Sequence, residues 1–200
     1  MANTVVVAEK PSVAREIARV LGCRQQGEGH VAGNGFVVTW AVGHLVGLAQ
    51  PQDMNPAWKS WDLGVLPMLP AEWRLSVLPR TKDQFEIVEG LINSPETVEV
   101  VCATDAGREG ELIFRNIYEA AGCRKPVRRL WISSLTEEAI REGFGKLRPG
   151  SDYDALAAAA RGRARADWLV GLNLTGVFAA GRGGECGASS DADAGDDRGA

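Results

Sequence analysis

Three acidic residues stand where a chain can do chemistry. Glu9 follows the apolar run at residues 4–8 (TVVVA). Asp105 follows a second run at residues 98–103 (VEVVCA) and one threonine, and Glu109 lies four residues further on. Both runs are continuous and β-branched rather than alternating, as in strands buried on both faces. In an open α/β sheet, functional groups gather beyond the carboxyl ends of the strands. If the two strands are neighbours, Glu9 and Asp105 face one crevice, and Glu109, near the start of the following helix, can turn toward it. Clustered carboxylates repel one another. The compensation is a hard cation such as Mg²⁺, which takes oxygen ligands, or a proton kept on one acid. Either suits phosphoryl transfer on DNA or RNA. Taken singly, each acid reads equally well as a cap or a solvated loop residue. What singles them out is the combination, Glu-Lys-Pro-Ser after one buried strand and Thr-Asp-x-x-Arg-Glu-Gly-Glu after another.

The elements that must hold these residues follow from periodicity and punctuation. Pro11-Ser12 open a helix with Val13, Ile17, Val20 and Leu21 on one face and Gly22 as its stop. Residues 30–46 read as a hairpin around Asn34-Gly35. Residues 50–79, rich in Pro and Trp, read as an irregular segment over a core. Thr81-Lys82-Asp83-Gln84 has the spacing of a capping box, and its helix puts Phe85, Val88, Leu91 and Ile92 on one face. A helix follows the second acidic segment through Ala121, and a third strand is predicted at 127–132 (VRRLWI). Ser134-Leu135-Thr136-Glu137 then starts a helix carrying Ala139, Ile140, Phe144 and Leu147. Strands alternating with helices predict an α/β fold, a mainly parallel sheet flanked by helices. That unit spans residues 1–148. Pro149-Gly150 mark a boundary, and an Ala-rich helix from about 151 to 173 opens a second region, 149–178. Residues 179–200 contain no Val, Ile, Leu, Met or aromatic residue and read as a disordered tail.

Length and composition narrow the function classes. Two hundred residues suit one domain and part of another. No apolar run reaches the ~20 residues of a membrane-spanning helix. Met1-Ala2-Asn3-Thr4 lacks the basic start of a signal peptide, so a cytoplasmic location is expected. Cys23, Cys102, Cys123 and Cys186 stand singly, which argues against a zinc ribbon or a disulfide scaffold. There is no Gly-x-x-x-x-Gly-Lys-[Ser/Thr] loop, so no nucleoside triphosphate partner is expected. The net charge of -4 looks unfavourable for a nucleic-acid partner, but it is unevenly spread. Residues 181–200 hold five acids and two bases, whereas residues 124–165 hold ten bases and five acids.

Two segments carry a family resemblance. Val7-Ala8-Glu9-Lys10-Pro11-Ser12-Val13-Ala14-Arg15 and Ala103-Thr104-Asp105-Ala106-Gly107-Arg108-Glu109-Gly110-Glu111-Leu112-Ile113 resemble the acidic motifs of the TOPRIM domain. Their wording is similar to that of type IA DNA topoisomerases, nearest the bacterial topoisomerase III subgroup. Val42-Gly43-His44-Leu45, Trp131-Ile132-Ser133-Ser134-Leu135-Thr136 and the stretch from Arg163 through Asp167-Trp168 to Thr175 match in family order. The resemblance implies an enzyme that breaks one DNA strand through a 5′-phosphotyrosine link, passes another strand and reseals. It implies that Glu9 handles the proton of the 3′-hydroxyl, that Lys10 stabilises the scissile phosphate, and that Glu9, Asp105 and Glu109 hold Mg²⁺. His44, Arg108, Arg163 and Asp167 match positions that meet the single-stranded DNA entering the site, and the basic setting of Arg163 fits a phosphate track. Without the resemblance, His44 reads as a hydrogen-bonded histidine beside a hairpin and Arg163 as part of a solvated helix face.

This sequence departs from the family pattern in two places. The usual Asp-x-Asp-x-Glu has Gly107 at its middle acid, so Glu111 or a substrate phosphate would have to supply the missing charge. The family's nucleophilic tyrosine belongs to a later domain. Here Tyr118 reads as packing beside Phe114 and Ile117, and Tyr153 matches no catalytic motif. The pattern stops after Thr175, as in a truncated or frame-shifted longer chain. Trp168, Leu169 and Leu172 then read as a face for missing C-terminal domains. Three functions are expected in descending order: the metal-site portion of a topoisomerase, inactive alone; an inert fragment that still holds single-stranded DNA; and a free-standing TOPRIM nuclease using metal-activated water.

Overall fold

The two apolar runs become neighbouring central strands. β1 (Asn3–Ala8) leads into α1 (Pro11–Leu21), which starts on Pro11 and ends at Gly22 in the left-handed conformation (φ 74°). The computed structural model describes residues 2–60 and 63–183. β2 (Gln25–Gly27), β3 (His30–Gly33) and β4 (Phe36–Trp40) follow. Asn34 and Gly35 both have positive φ, 51° and 79°, as a tight two-residue hairpin requires. The hairpin ends at Trp40, sooner than expected. β5 (Val46–Leu48) belongs to a separate two-stranded sheet, pairing with β6 (Leu75–Val77). Between them lie the short α2 (Pro51–Met54) and two 3₁₀ turns, so the Pro/Trp-rich segment is irregular but ordered at its end by β6.

α3 (Lys82–Asn93), β7 (Thr97–Ala103), α4 (Arg108–Ala120), β8 (Val127–Arg129), α5 (Glu137–Gly145), β9 (Arg148–Pro149) and α6 (Asp154–Gly183) complete the chain. The main sheet has the order β2-β3-β4-β1-β7-β8-β9. Its four central strands, β4-β1-β7-β8, run parallel, and antiparallel pairs close both edges. Alternate residues of the central strands enter two apolar cores. Val5, Val7, Val100 and Cys102 pack with α3 and α4 through Phe85, Val88, Ile113 and Phe114. Val6, Ala8, Val101 and Ala103 pack with α1 and α5 through Ala14, Ile17 and Ile140. Helices therefore cover both faces, which is why these strands read as unbroken apolar runs.

Several expectations change in detail. The proposed capping box at Thr81 does not form. Thr81 Oγ1 donates to the Leu78 and Leu45 carbonyls, and Gln84 reaches the Trp40 carbonyl at 2.8 Å. A 3₁₀ turn at Pro79–Thr81 runs straight into α3, so both side chains are released to tie the helix to the sheet. The third strand stops at Arg129 rather than Ile132. The boundary expected after residue 148 falls within β9, where Pro149 pairs with Arg128. α6 continues to Gly183, beyond the expected end near Asn173. The tail expected to be disordered lies, for residues 184–200, outside the described residues.

Candidate nucleic-acid and metal site

β1 and β7 pair in parallel with Ala8 opposite Ala103, so Glu9 and the Thr104-Asp105 turn leave the sheet side by side. The Asp105 N–H donates to the Glu9 carboxylate at 3.2 Å. Glu9 is only 8% exposed, and Lys10 Nζ lies 3.8 Å from its other oxygen. The helices that follow, α1 and α4, have Lys10 and Gly107 at their N-cap positions and no side-chain cap. Their free N–H groups and dipoles therefore face the same carboxyl edge and favour an anion.

A cleft of about 740 Å³ opens there. It is lined by Glu9, Asp105, Arg108 and Glu109 from the strand ends and α4, by His44 from the loop after β4, and by Arg163 and Asp167 from α6. Lys10 is not on its wall but stands exposed beside Glu9. His44 is hydrogen-bonded to the Glu109 carboxylate, and Arg163 and Asp167 pair at 3.6 Å on the open face of α6. Residues up to 158 positions apart in sequence (Glu9 and Asp167) thus meet in one cavity.

α6 is held over the cleft by the Pro/Trp-rich segment. Trp168 stacks edge-on with Trp73 at 5.4 Å, contacts Trp58, and donates to the Ala49 carbonyl. Asn173 grips the Met68 backbone at both N and O. This corrects the expectation that Trp168 awaits a missing domain, because its partners lie within the chain.

Beneath the Asp105 turn sits a residue that sequence reasoning missed. The Arg129 side chain is fully buried and donates to the carbonyls of Cys102, Thr104, Leu130 and Asp105. Its Nε lies 3.2 Å from Glu111 Oε2, off the N–H line, so that contact is ionic rather than hydrogen-bonded. Glu111 is buried too, and its other oxygen accepts from Arg115 at 2.8 Å. Glu111 is therefore engaged by two arginines and does not replace the acid absent at Gly107, contrary to one expectation. Two adjacent arginines in a strand were the available signal, since alternation sends one of them inward.

A carboxylate set without thiols, whose one imidazole, His44, is taken up by Glu109, fits a hard cation in its donor chemistry. The geometry fits less fully: among the described residues no three His, Cys, Asp or Glu side chains gather closely enough to hold a metal ion. Gly107 lines the cleft with extended backbone and open space where a side chain would stand. That donor chemistry leaves room for a hard cation that keeps waters, and it does not make an all-protein cage.

A parallel-centred sheet with its acids at adjacent strand ends defines the class, an α/β domain with a polar cleft at its carboxyl edge. The Toprim domain family matches residues 4–135, and the chain belongs to that family. DNA topoisomerase 3 of Shouchella clausii is 54% identical over 175 residues, covering 88% of this chain and 24% of that protein. Its Bacillus subtilis counterpart is 50% identical over the same length. The chain thus spans about a quarter of the length of these curated relatives. Full-length topoisomerase I from Thermotoga maritima superposes with a TM-score of 0.47 at 22% identity, covering 72% of this chain and 21% of that one. No helix among the described residues is long and apolar enough to cross a membrane.

Proposed function

We propose that the chain is the Toprim portion of a type IA DNA topoisomerase, acting on single-stranded DNA in the cytoplasm. The observation that carries this reading is the meeting of Glu9, Asp105, His44 and Arg163 in one cleft at the carboxyl edge of the sheet. Arg108, Arg163 and the uncapped starts of α1 and α4 would hold backbone phosphates, with Asp167 orienting Arg163. Lys10 would take the charge of the scissile phosphate. Glu9, screened from water and close to Lys10, would take and return the proton of the 3′-hydroxyl. His44 would steer Glu109 through their hydrogen bond. Glu9, Asp105 and Glu109 are the candidate ligands of Mg²⁺, which when bound supplies charge neutralisation at the phosphate oxygens.

Neither tyrosine suits the nucleophile. Tyr118 stacks on Phe114 and donates to the Lys125 carbonyl at 2.7 Å, as expected of a packing residue. Tyr153 is buried. In this reading the tyrosine comes from outside residues 1–200, as do the domains that pass the strand. Incubation with supercoiled plasmid and Mg²⁺ tests it. The expected result is neither relaxation nor nicking, with retained binding to single strands that Arg163→Ala weakens. Relaxation by this chain would refute the external nucleophile, and nicking lost in Glu9→Ala would identify a nuclease instead.

A further inference from the structure

Past Arg129 the chain leaves the sheet, and Trp131 stands 43% exposed. Its indole is packed against a ring and a guanidinium. The buried Tyr153 ring stacks on it at 4.9 Å with 21° between planes. The Arg129 guanidinium lies 5.0 Å from the indole centroid and 5.9 Å from that of Tyr153. Tyr153 and Arg129 thus hold the ring between them, and the 43% of Trp131 that stays exposed is the surface they leave to solvent. Arg148 lies 5.5 Å from the other ring of the stack, with Asp152 held by its guanidinium at 2.9 Å. The result is a fixed, open π surface backed by two arginines. It is also joined to the site, because the guanidinium beside Trp131 donates to the Asp105 carbonyl at 2.7 Å.

We propose that Trp131 is a stacking platform for one unpaired base of a nucleic-acid strand whose backbone lies in the cleft; this rests on the function proposed above. Every base offers a π face, so an aromatic plate near cations holds a single strand without reading its sequence. Rigidity matters here. A ring already pinned by Tyr153 and Arg129 loses little freedom when a base settles on it. Arg129 links the two halves of the contact, since it fixes the turn that carries Asp105 and flanks the plate that would hold the neighbouring base.

The test compares the chain with Trp131→Ala and Trp131→Leu in low salt. Fluorescence anisotropy reads binding to a labelled oligothymidylate and to an oligonucleotide of equal length whose central residues are abasic. Trp131→Leu keeps apolar bulk over Tyr153 without the π face, and so guards against a folding defect in the alanine variant. Both variants are expected to bind oligothymidylate about tenfold more weakly, and to bind the abasic strand as the unaltered chain does. Equal weakening on both strands, or no weakening on either, would overturn the platform. Failure of the unaltered chain to bind either strand would overturn the nucleic-acid reading and the platform with it. A protein partner for the indole would leave both strands unaffected by the substitutions.

Discussion

Arg129 keeps a full charge out of water because four carbonyls and the Glu111 carboxylate surround it. Removing one member of a buried pair leaves the other uncompensated, at a cost of about 3–5 kcal/mol. Arg129→Met is therefore expected to lose stability of that order in urea unfolding. Arg129→Met with Glu111→Leu should lose less than the two single losses added together, and strict additivity would show that the pair is not coupled. Burial acts differently on Cys102, pushing its thiol up to about 11 from an ordinary 9.0. Between those pH values the unfolded chain releases a proton that the folded chain keeps. Stability from this thiol is intact below pH 9 and falls as pH rises toward 11. Urea midpoints of the unaltered chain should accordingly drop more steeply over that range than those of Cys102→Ala, and parallel curves would refute the assignment. Gly107 is a third case. Its backbone is extended and nothing lies within 4 Å of where a Cβ would stand, so Gly107→Asp should fold normally. Added Mg²⁺ should bind that variant more tightly, as followed by calorimetry. Equal affinities would remove the idea that the missing acid weakens the site.

At the scale of elements, the cleft depends on how closely α4 approaches the end of β7. Thr104 Oγ1 donates to the Gly110 carbonyl at 2.8 Å. A Cβ on Gly110 would collide with the backbone of Asp105, carbonyl, nitrogen and carbon alike. No flexible side chain is there to yield, so Gly110→Ala must move the turn that carries Asp105 and Arg108. The expected loss is about 1–3 kcal/mol of stability, with a fall in single-strand affinity that Gly145→Ala, a substitution in open space, does not cause. The opposite wall is set by α6. Its grip on the Pro/Trp-rich segment through Trp168 and Asn173 determines which side of the helix faces the acids. A segment without regular periodicity thus fixes the position of the longest helix.

For the whole molecule, the net charge of -4 is unevenly spread, and the cleft carries both signs, with Glu9, Asp105, Glu109 and Asp167 set against Arg108 and Arg163. Five acids and two bases fall in residues 181–200, away from the cleft-lining stretches of sequence. Lys10, Arg108 and Arg163 stand at or beside the cleft. If these three meet phosphates, the slope of log affinity against log salt should be about -2 for a single strand. Arg163→Ala should make it shallower by roughly one contact, and an unchanged slope would take Arg163 out of the phosphate track. Beyond the cleft, α6 exposes Val170, Leu174, Val177 and Phe178, a spacing that puts them on one stripe.

Features that contiguous residues decide can be read before folding. The two buried strands, the acids at their ends, the Asn34-Gly35 turn and the helix opened by Pro11 were all legible, because periodicity and backbone preference act over a few residues. The cleft residues were legible as a set through the family resemblance. Long-range packing settles the rest: β1 and β7 are neighbours, Glu111 turns inward to Arg115 and Arg129, Gln84 ties α3 to the sheet rather than capping it, and Trp168 packs within the chain. Each of these is a competition among partners distant in sequence. The winner is set by which polar groups burial leaves in need of one another, and that need exists only once the sheet and its helices have closed.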